Sequence, residues 1–116
     1  LRRLVATLGF DSAAGGVLAA GLRGGGGPRQ MLYTADGRDI DLRVLPAGDG
    51  AHWTVSGQVL GPDTGGRATL QLGGQLFETG WNDLAEFAFD GLPAGRATLT
   101  LQAADWEVEL PPLDLG

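Results

Sequence analysis

The stretch FAFDGLPAGRATLTL, residues 87–101, decides the fold class of this chain. Apolar residues alternate with small or polar ones at both of its ends: Phe87, Phe89, Leu99 and Leu101. A period of two residues puts one side of an extended strand in a core and the other side in water. Between the two runs, Asp90-Gly91 and Pro93 break the first strand, and Gly95 can take the positive φ that returns the chain. The stretch therefore predicts two strands joined by a tight connection, with Leu92 folded under it as a plug over the core.

The same alternation recurs along the rest of the chain. Its apolar members are Leu4, Ala6, Leu8 and Phe10; Ile40, Leu42 and Val44; Trp53, Val55 and Val59; Ala68, Leu70 and Leu72; and Trp106, Val108 and Leu110. Turn sequences separate the runs, and 21 Gly and 6 Pro leave little room for helices. The connections are too short for crossover helices, which disfavours a parallel sheet. The sequence predicts an all-β, antiparallel β-sandwich of about seven to nine short strands.

Composition narrows the classes of protein to which this chain can belong. Its 116 residues are enough for one domain with one core, residues 1–116, and its first residue, Leu1, suggests a piece of a longer protein. A net charge of −6 argues against nucleic-acid binding. An apolar run of the ~20 residues needed to insert into a membrane is lacking. The absence of Cys excludes disulfides and thiolate zinc sites, and it leaves the compartment open with the cytoplasm slightly favoured. The Gly-rich, Lys-free composition suggests a GC-rich bacterial source.

A resemblance to a known family extends over about half of the chain, residues 53–102. The motifs that carry it are V-x-G-x-V at Val55, Gly57 and Val59, F-x-F at Phe87 and Phe89, and L-P-x-G with a following strand at Leu92, Pro93, Gly95 and Leu99. This part of the chain resembles the carboxypeptidase-regulatory-like, or transthyretin-like, β-sandwich. The resemblance implies an Ig-like sandwich that serves as an accessory or partner-binding module, without catalytic residues to carry over.

Two departures from the family pattern accompany the resemblance. The family usually has a T-D-x-x-G turn before the F-x-F strand, whereas this chain has the sequence TGWNDLAE, residues 79–86. About fifty residues also precede the match, which predicts extra strands or a modified first sheet. Residues 12–30 include a run of four glycines, which favours a flexible loop between two weak strands over a phosphate cradle.

The side chains that could carry catalysis or bind metal are few and poorly patterned. His52 is the single histidine and lacks a patterned partner, so we expect a solvated loop residue. Ser12 and Ser56 do not lie in a nucleophile elbow. The acidic residues of DGRDID, Asp36, Asp39 and Asp41, fail the spacing of a calcium loop, which favours a solvent face with ion pairs. The sequence thus predicts a protein that is not an enzyme and binds neither cofactor nor metal.

The aromatic residues and the last strand give the remaining predictions. Trp53 and Trp106 are in phase with their strands and are expected in the core. Trp81 lies outside any alternation, between Gly80 and Asn82, where it either contacts a partner or covers a core edge. Glu107 and Glu109 are interpreted as charges that protect an edge strand.

From these residues we expect a non-catalytic interaction or accessory module. Its partner is another protein or the rest of its own chain, and its contact residues are Trp81, Asn82, Asp83 and Tyr33. One alternative is a carbohydrate-binding module that stacks sugars on Trp81 and Tyr33. Another is a regulatory partner of a bacterial signalling protein. The oligomeric state is left open by the sequence.

Overall fold

The structure, a computed structural model, describes residues 2–12, 28–63 and 65–115. Eleven strands lie within these ranges: β1 (Arg2–Val5), β2 (Thr7–Asp11), β3 (Arg29–Ala35), β4 (Arg38–Pro46), β5 (Trp53–Leu60), β6 (Arg67–Leu72), β7 (Gln75–Gly80), β8 (Glu86–Leu92), β9 (Gly95–Gln102), β10 (Trp106–Glu109) and β11 (Leu113–Leu115). The predicted loop within residues 12–30 lies mostly outside the described residues, since residues 13–27 are not among them.

The strands form two sheets that pack face to face as a sandwich. Sheet A has the order β1-β10-β9-β6-β7, with β11 also paired to β9, and sheet B has the order β2-β3-β4-β5-β8. The predicted all-β sandwich is confirmed, with more strands than the predicted seven to nine. Sheet B is antiparallel, whereas sheet A is mixed because β1 pairs with β10 in parallel.

The parallel pair forms without a crossover helix, since its two strands come from opposite ends of the described chain. Arg2 aligns with Trp106 and Val5 with Glu109. Ala6 links β1 in sheet A to β2 in sheet B. It is buried, and its N–H donates to the carbonyl of Glu109. Residues 2–11 therefore connect the two sheets.

The core lies between the sheets and contains most of the inward residues that the alternation predicts. Leu8 and Phe10 are exceptions, because both are exposed on β2, the outermost strand of sheet B. Trp53, Trp106 and Leu92 are all buried, which confirms their expected positions. Strand β8 continues through Asp90 and Gly91 to Leu92, so the break predicted at Asp90-Gly91 is wrong and the connection to β9 is Pro93 and Ala94. Leu92 aligns with Trp53 across β8 and β5 and closes the end of the sandwich. Gly91 and Gly95 adopt the positive φ values of 67° and 148° that this connection requires.

The interpretation of Glu107 and Glu109 as protectors of an edge strand is wrong. Strand β10 lies inside sheet A, because β1 covers one side of it and β9 the other. Glu107 instead accepts a hydrogen bond from Gln102 at 2.6 Å and lies 3.9 Å from Arg3. The sequence could not reveal this, because the strand that covers β10 is about a hundred residues away in the chain.

Across residues 2–12, 28–63 and 65–115 the structure contains no helix with the length and apolar character needed to cross a membrane.

Candidate functional site

A polar groove of about 610 Å³ lies beside sheet B. Its lining comes from three strands of sheet B and from the end of β7 with the loop that follows: Asp41, Arg43, Ser56, Gly57, Gln58, Thr79, Gly80, Asn82, Glu86, Phe87 and Ala88. The register aligns Ser56 with Arg43 and with Ala88, and Gln58 with Asp41 and with Glu86. Small side chains at Ser56 and Ala88 leave space between longer polar ones, which creates the depression.

The groove carries charges of both signs. Asp41 accepts a hydrogen bond from Gln30 Nε2 at 3.1 Å and lies 3.5 Å from Arg43 Nη2. Glu86 accepts a hydrogen bond from Asn82 Nδ2 at 2.9 Å. Exposed pairs of this kind add little to stability.

Asn82 shapes one wall of the groove. Its Oδ1 accepts hydrogen bonds from the N–H groups of Leu84 and Glu86, both at 2.9 Å, and its own N–H donates to the Glu86 carbonyl. These bonds hold a tight turn in which Ala85 has a positive φ of 59°. An Asx side chain stabilises such a turn by replacing backbone partners. Asn82, predicted as a contact residue, therefore has its polar groups used within the chain.

Replacing Asn82 with alanine is expected to lower the free energy of unfolding by about 1 to 2 kcal/mol, because two side-chain acceptor bonds are lost. Urea denaturation measures this change. Asp83→Ala is the matched control, because Asp83 is exposed in the same turn, and we expect a change within about 0.5 kcal/mol. An equal loss in both variants would contradict the role given to Asn82.

Trp81 covers an edge of the core, which is one of the two positions that the sequence left open. Its ring centroid lies 6.1 Å from that of Trp106 at a tilt of 43°. Its six-membered ring also lies against Gly66, where an added Cβ would come within 2.7 Å of it. The side chain is half-buried, so part of the ring is committed to packing.

Tyr33, the other predicted aromatic contact, is only 3% exposed and so presents no stacking face in this structure. Its hydroxyl donates to Met31 Sδ at 3.3 Å, and burial raises the pKa of Tyr33 above its ordinary value. Tyr33 lies on the inward side of β3 because it alternates with exposed Leu32 and Thr34. The alternation in QMLYTA was a signal that would have placed Tyr33 in the core.

A partly buried polar cluster lies around Trp106, at the end of the sandwich opposite Leu92. Arg38 Nε donates to Asp63 Oδ2 at 2.6 Å, and Trp106 Nε1 donates to Asp63 Oδ1 at 2.7 Å. The Arg38 guanidinium also lies over the Trp106 ring, 4.5 Å from its centroid, in a cation–π contact. The side chains of Arg38 and Asp63 are only 11% and 12% exposed. The cluster joins sheet B to sheet A through the β5–β6 connection, and its role is structural.

The large exposed apolar side chains of the strands are unevenly distributed between the sheets. Four of them project from the outer face of sheet B, on the side opposite the buried residues: Phe10, Leu32, Leu45 and Leu60. Phe10 aligns with Leu32, and Leu32 aligns with Asp41 in the groove lining. The outer face of sheet A is mainly polar, with Thr69, Gln71, Thr98, Thr100 and Gln102 on its central strands.

The remaining candidate residues are accounted for by local ion pairs. His52 is exposed, as predicted, and its Nδ1 lies 2.7 Å from Asp49 Oδ2. A hydrogen bond from the Ala51 N–H, together with His52, lowers the pKa of Asp49 below its ordinary value. Asp36 pairs with Arg2 and Arg38. In the part of the chain that the structure describes, no three His, Cys, Asp or Glu residues are grouped so as to hold a metal ion.

The groove residues Ser56, Gln58, Glu86 and Ala88 were not predicted as a site. Alternation placed them on solvent-exposed strand faces, but it does not predict which residues of the three strands lie opposite each other. Only the pairing of β4, β5 and β8 brings them together.

Comparisons of this chain with protein-family models, with curated proteins and with solved structures gave no match.

Proposed function

We propose that this chain is a non-catalytic β-sandwich module that binds a protein partner, or another part of its own polypeptide, through the outer face of sheet B. One observation carries the proposal: this face carries four large exposed apolar side chains, of which Phe10 and Leu32 are direct neighbours, next to a polar groove. Apolar area bordered by polar groups is typical of protein-interaction surfaces. The adjacent pair Phe10 and Leu32, 48% and 41% exposed, would form the centre of the contact.

We further propose that the sandwich is of the carboxypeptidase-regulatory-like, or transthyretin-like, type. The motif residues support this by their positions. Val55 and Val59 point into the core on either side of Gly57, and Leu92 closes the end of the sandwich. Gly57 gives space to the Phe87 ring, which an added Cβ would approach to 2.5 Å. A function as an accessory module agrees with what this resemblance implies.

The carbohydrate-binding alternative has less support from the positions of its two aromatic residues. The Tyr33 ring is buried, and the Trp81 ring packs against Trp106 and Gly66. A sugar-stacking platform needs an open aromatic face. We therefore do not propose this function.

A quantitative affinity capture from a lysate of the source organism tests the proposed function. We expect that Phe10→Gln and Leu32→Gln together reduce recovery of a specific partner by about tenfold, because residues buried at the centre of an interface contribute most of its binding energy. Val5→Gln with Leu76→Gln is the control, because these residues are even more exposed, at 73% and 61%, but lie on sheet A. Equal loss with both pairs, or no effect of the first pair, would contradict the proposal.

If the partner segment belongs to the same polypeptide, the longer protein gives the corresponding result. Hydrogen–deuterium exchange should then show faster exchange in β3 and in the contacting segment when Phe10 and Leu32 are replaced. Unchanged exchange in the longer protein, together with an empty capture, would leave the module without a partner on this face.

A further inference from the structure

Strand β8 is the last strand of sheet B, so among residues 2–12, 28–63 and 65–115 one of its edges has no strand partner in this sheet. The direction of its backbone groups follows from its pairing with β5. The Val59 N–H donates to the Ala85 carbonyl at 3.0 Å, and hydrogen-bonded pairs alternate along an antiparallel ladder. Phe87 therefore bonds to β5, while the N–H and C=O groups of Glu86 and Ala88 point toward the open edge.

Asn82 confirms this direction, because it occupies the open edge beside Glu86. The Asn82 N–H donates to the Glu86 carbonyl, and the Glu86 N–H donates to Asn82 Oδ1, both at 2.9 Å. Asn82 thus binds Glu86 in the way that a neighbouring strand would. The next outward-directed residue, Ala88, lines the groove together with Thr79 and Gly80. The groove of about 610 Å³ therefore borders Ala88.

The charges along β8 select the kind of chain that could enter. Side chains on the outer face of β8 alternate as Glu86, Ala88 and Asp90, all exposed, and Asp41 adds a carboxylate across the groove. Arg43 is the basic residue of the lining, and it lies 3.5 Å from Asp41. Directly opposed like charges destabilise a strand pair, and opposite charges stabilise it. A second copy centred on Ala88 would oppose Glu86 to Asp90, which disfavours self-association.

We propose that an extended partner segment with basic residues at alternate positions adds to sheet B along β8. Its backbone pairs with the N–H and C=O of Ala88, and its arginine or lysine side chains lie beside Glu86 and Asp90. Addition of a strand to a sheet edge is a common mode of peptide recognition, with affinity from the backbone and specificity from alternate side chains. This inference rests on the proposed function and identifies the partner chemistry at the groove.

A synthetic octapeptide of alternating arginine and valine, blocked at both ends, is a direct probe. We expect amide chemical-shift changes centred on Ala88 and slower exchange of the Ala88 amide proton at about 1 mM peptide, where even a weak site is substantially filled. The same peptide with N-methylated backbone amides should bind at least about fivefold more weakly, because strand pairing needs those donors. Added salt should also weaken binding.

Variants of the intact chain separate strand addition from general attraction of charge. Ala88→Pro should abolish binding, because it removes the N–H that faces the open edge, and an edge strand tolerates proline there. Ala88→Ser keeps the donor and should retain binding. Asp90→Lys should weaken binding about fivefold or more, whereas Glu109→Lys, the same charge change on the outer face of sheet A, should leave it within about twofold.

Several results would overturn the inference. These are no shift at Ala88 at about 1 mM peptide, equal binding of the N-methylated peptide, or equal weakening by Glu109→Lys. If Ala88→Pro does not fold, the Asp90→Lys comparison and the N-methylated peptide still decide the matter. If the strand-addition tests fail but a partner is still captured through Phe10 and Leu32, only this inference is wrong and the proposed function stands. If both the peptide binding at β8 and the partner capture fail, the proposed function is wrong as well.

Discussion

Replacing Gly66 with alanine is expected to lower the free energy of unfolding by about 3 kcal/mol or more, because the new methyl group has no space. A Cβ at this position would lie 2.2 Å from the Gln102 carbonyl oxygen and 2.7 Å from the Trp81 ring. The ring could move, but the carbonyl belongs to the backbone of β9, which is paired on both sides. Relief of the clash therefore requires β6 to separate from β9 at the start of β6, next to Gly66.

Gly65→Ala is the control for this prediction. Gly65 is the preceding residue in the chain, and an added Cβ there meets no atom within 4 Å. Denaturation of both variants, followed by tryptophan fluorescence, should show a large loss for Gly66→Ala and a change within about 0.5 kcal/mol for Gly65→Ala. A loss below about 1 kcal/mol for Gly66→Ala would mean that the packing of Trp81 over Gly66 is wrong.

Replacing Asp63 with asparagine is expected to lower the free energy of unfolding by about 3 kcal/mol at neutral pH. The variant leaves the Arg38 guanidinium without its main carboxylate partner in a site where little of its side chain reaches solvent. Removing one member of a largely buried ion pair costs about 3 to 5 kcal/mol, and the partial exposure here favours the lower end. The hydrogen bond from Trp106 Nε1 is weakened as well.

Asp36→Asn is the matched control, because Asp36 also lies near Arg38, at 3.7 Å, but its side chain is 45% exposed. Asparagine tolerates the positive φ of 48° at this position. We expect a cost of no more than about 1 kcal/mol, as for other surface pairs. Equal losses for the two variants would show that Asp63 is no more important than a surface carboxylate.

The pH dependence of stability gives a second readout of Asp63. Burial raises its pKa, but hydrogen bonds from Arg38 and Trp106 and the charge of Arg38 outweigh this effect and hold the pKa below its ordinary value. Because the pKa is lower in the folded than in the unfolded protein, ionised Asp63 stabilises the fold above about pH 4, and this stabilisation is lost as the pH falls through the folded pKa. The difference in the free energy of unfolding between the wild-type protein and Asp63→Asn should therefore narrow as the pH falls below about 4. A constant difference over this range would contradict the assignment.

Gly66 and Asp63 illustrate what could not be predicted from the sequence. Both lie in the stretch GPDTGGR, residues 61–67, which has the composition of an ordinary turn. Nothing in that composition indicates that Asp63 binds an arginine from β4 and a tryptophan from β10. Such contacts depend on which strands become neighbours, and strand order is set by packing across the whole sandwich.

Tyr33 and Glu107 show which positions local alternation can predict and which it cannot. The position of Tyr33 was available from local alternation, because an in-phase aromatic residue on a half-buried strand belongs in the core. The position of Glu107 could not be predicted in this way. The edge that it was expected to protect is covered by β1, the first strand of the described chain. The candidate contact surface changed for a similar reason, since the groove residues come from three strands whose register only the fold supplies.

Local patterns in the sequence were enough to predict the fold class, most of the core and most of the turns. Alternation at a period of two residues, interrupted by Gly, Pro and Asp, is a local property that each strand carries regardless of its neighbours. The tertiary structure alone decided the parallel pairing of β1 with β10, the polar cluster around Trp106, and the groove with its open β8 edge. Each of these depends on contacts between distant parts of the chain, which form when the two sheets bury their apolar faces against each other.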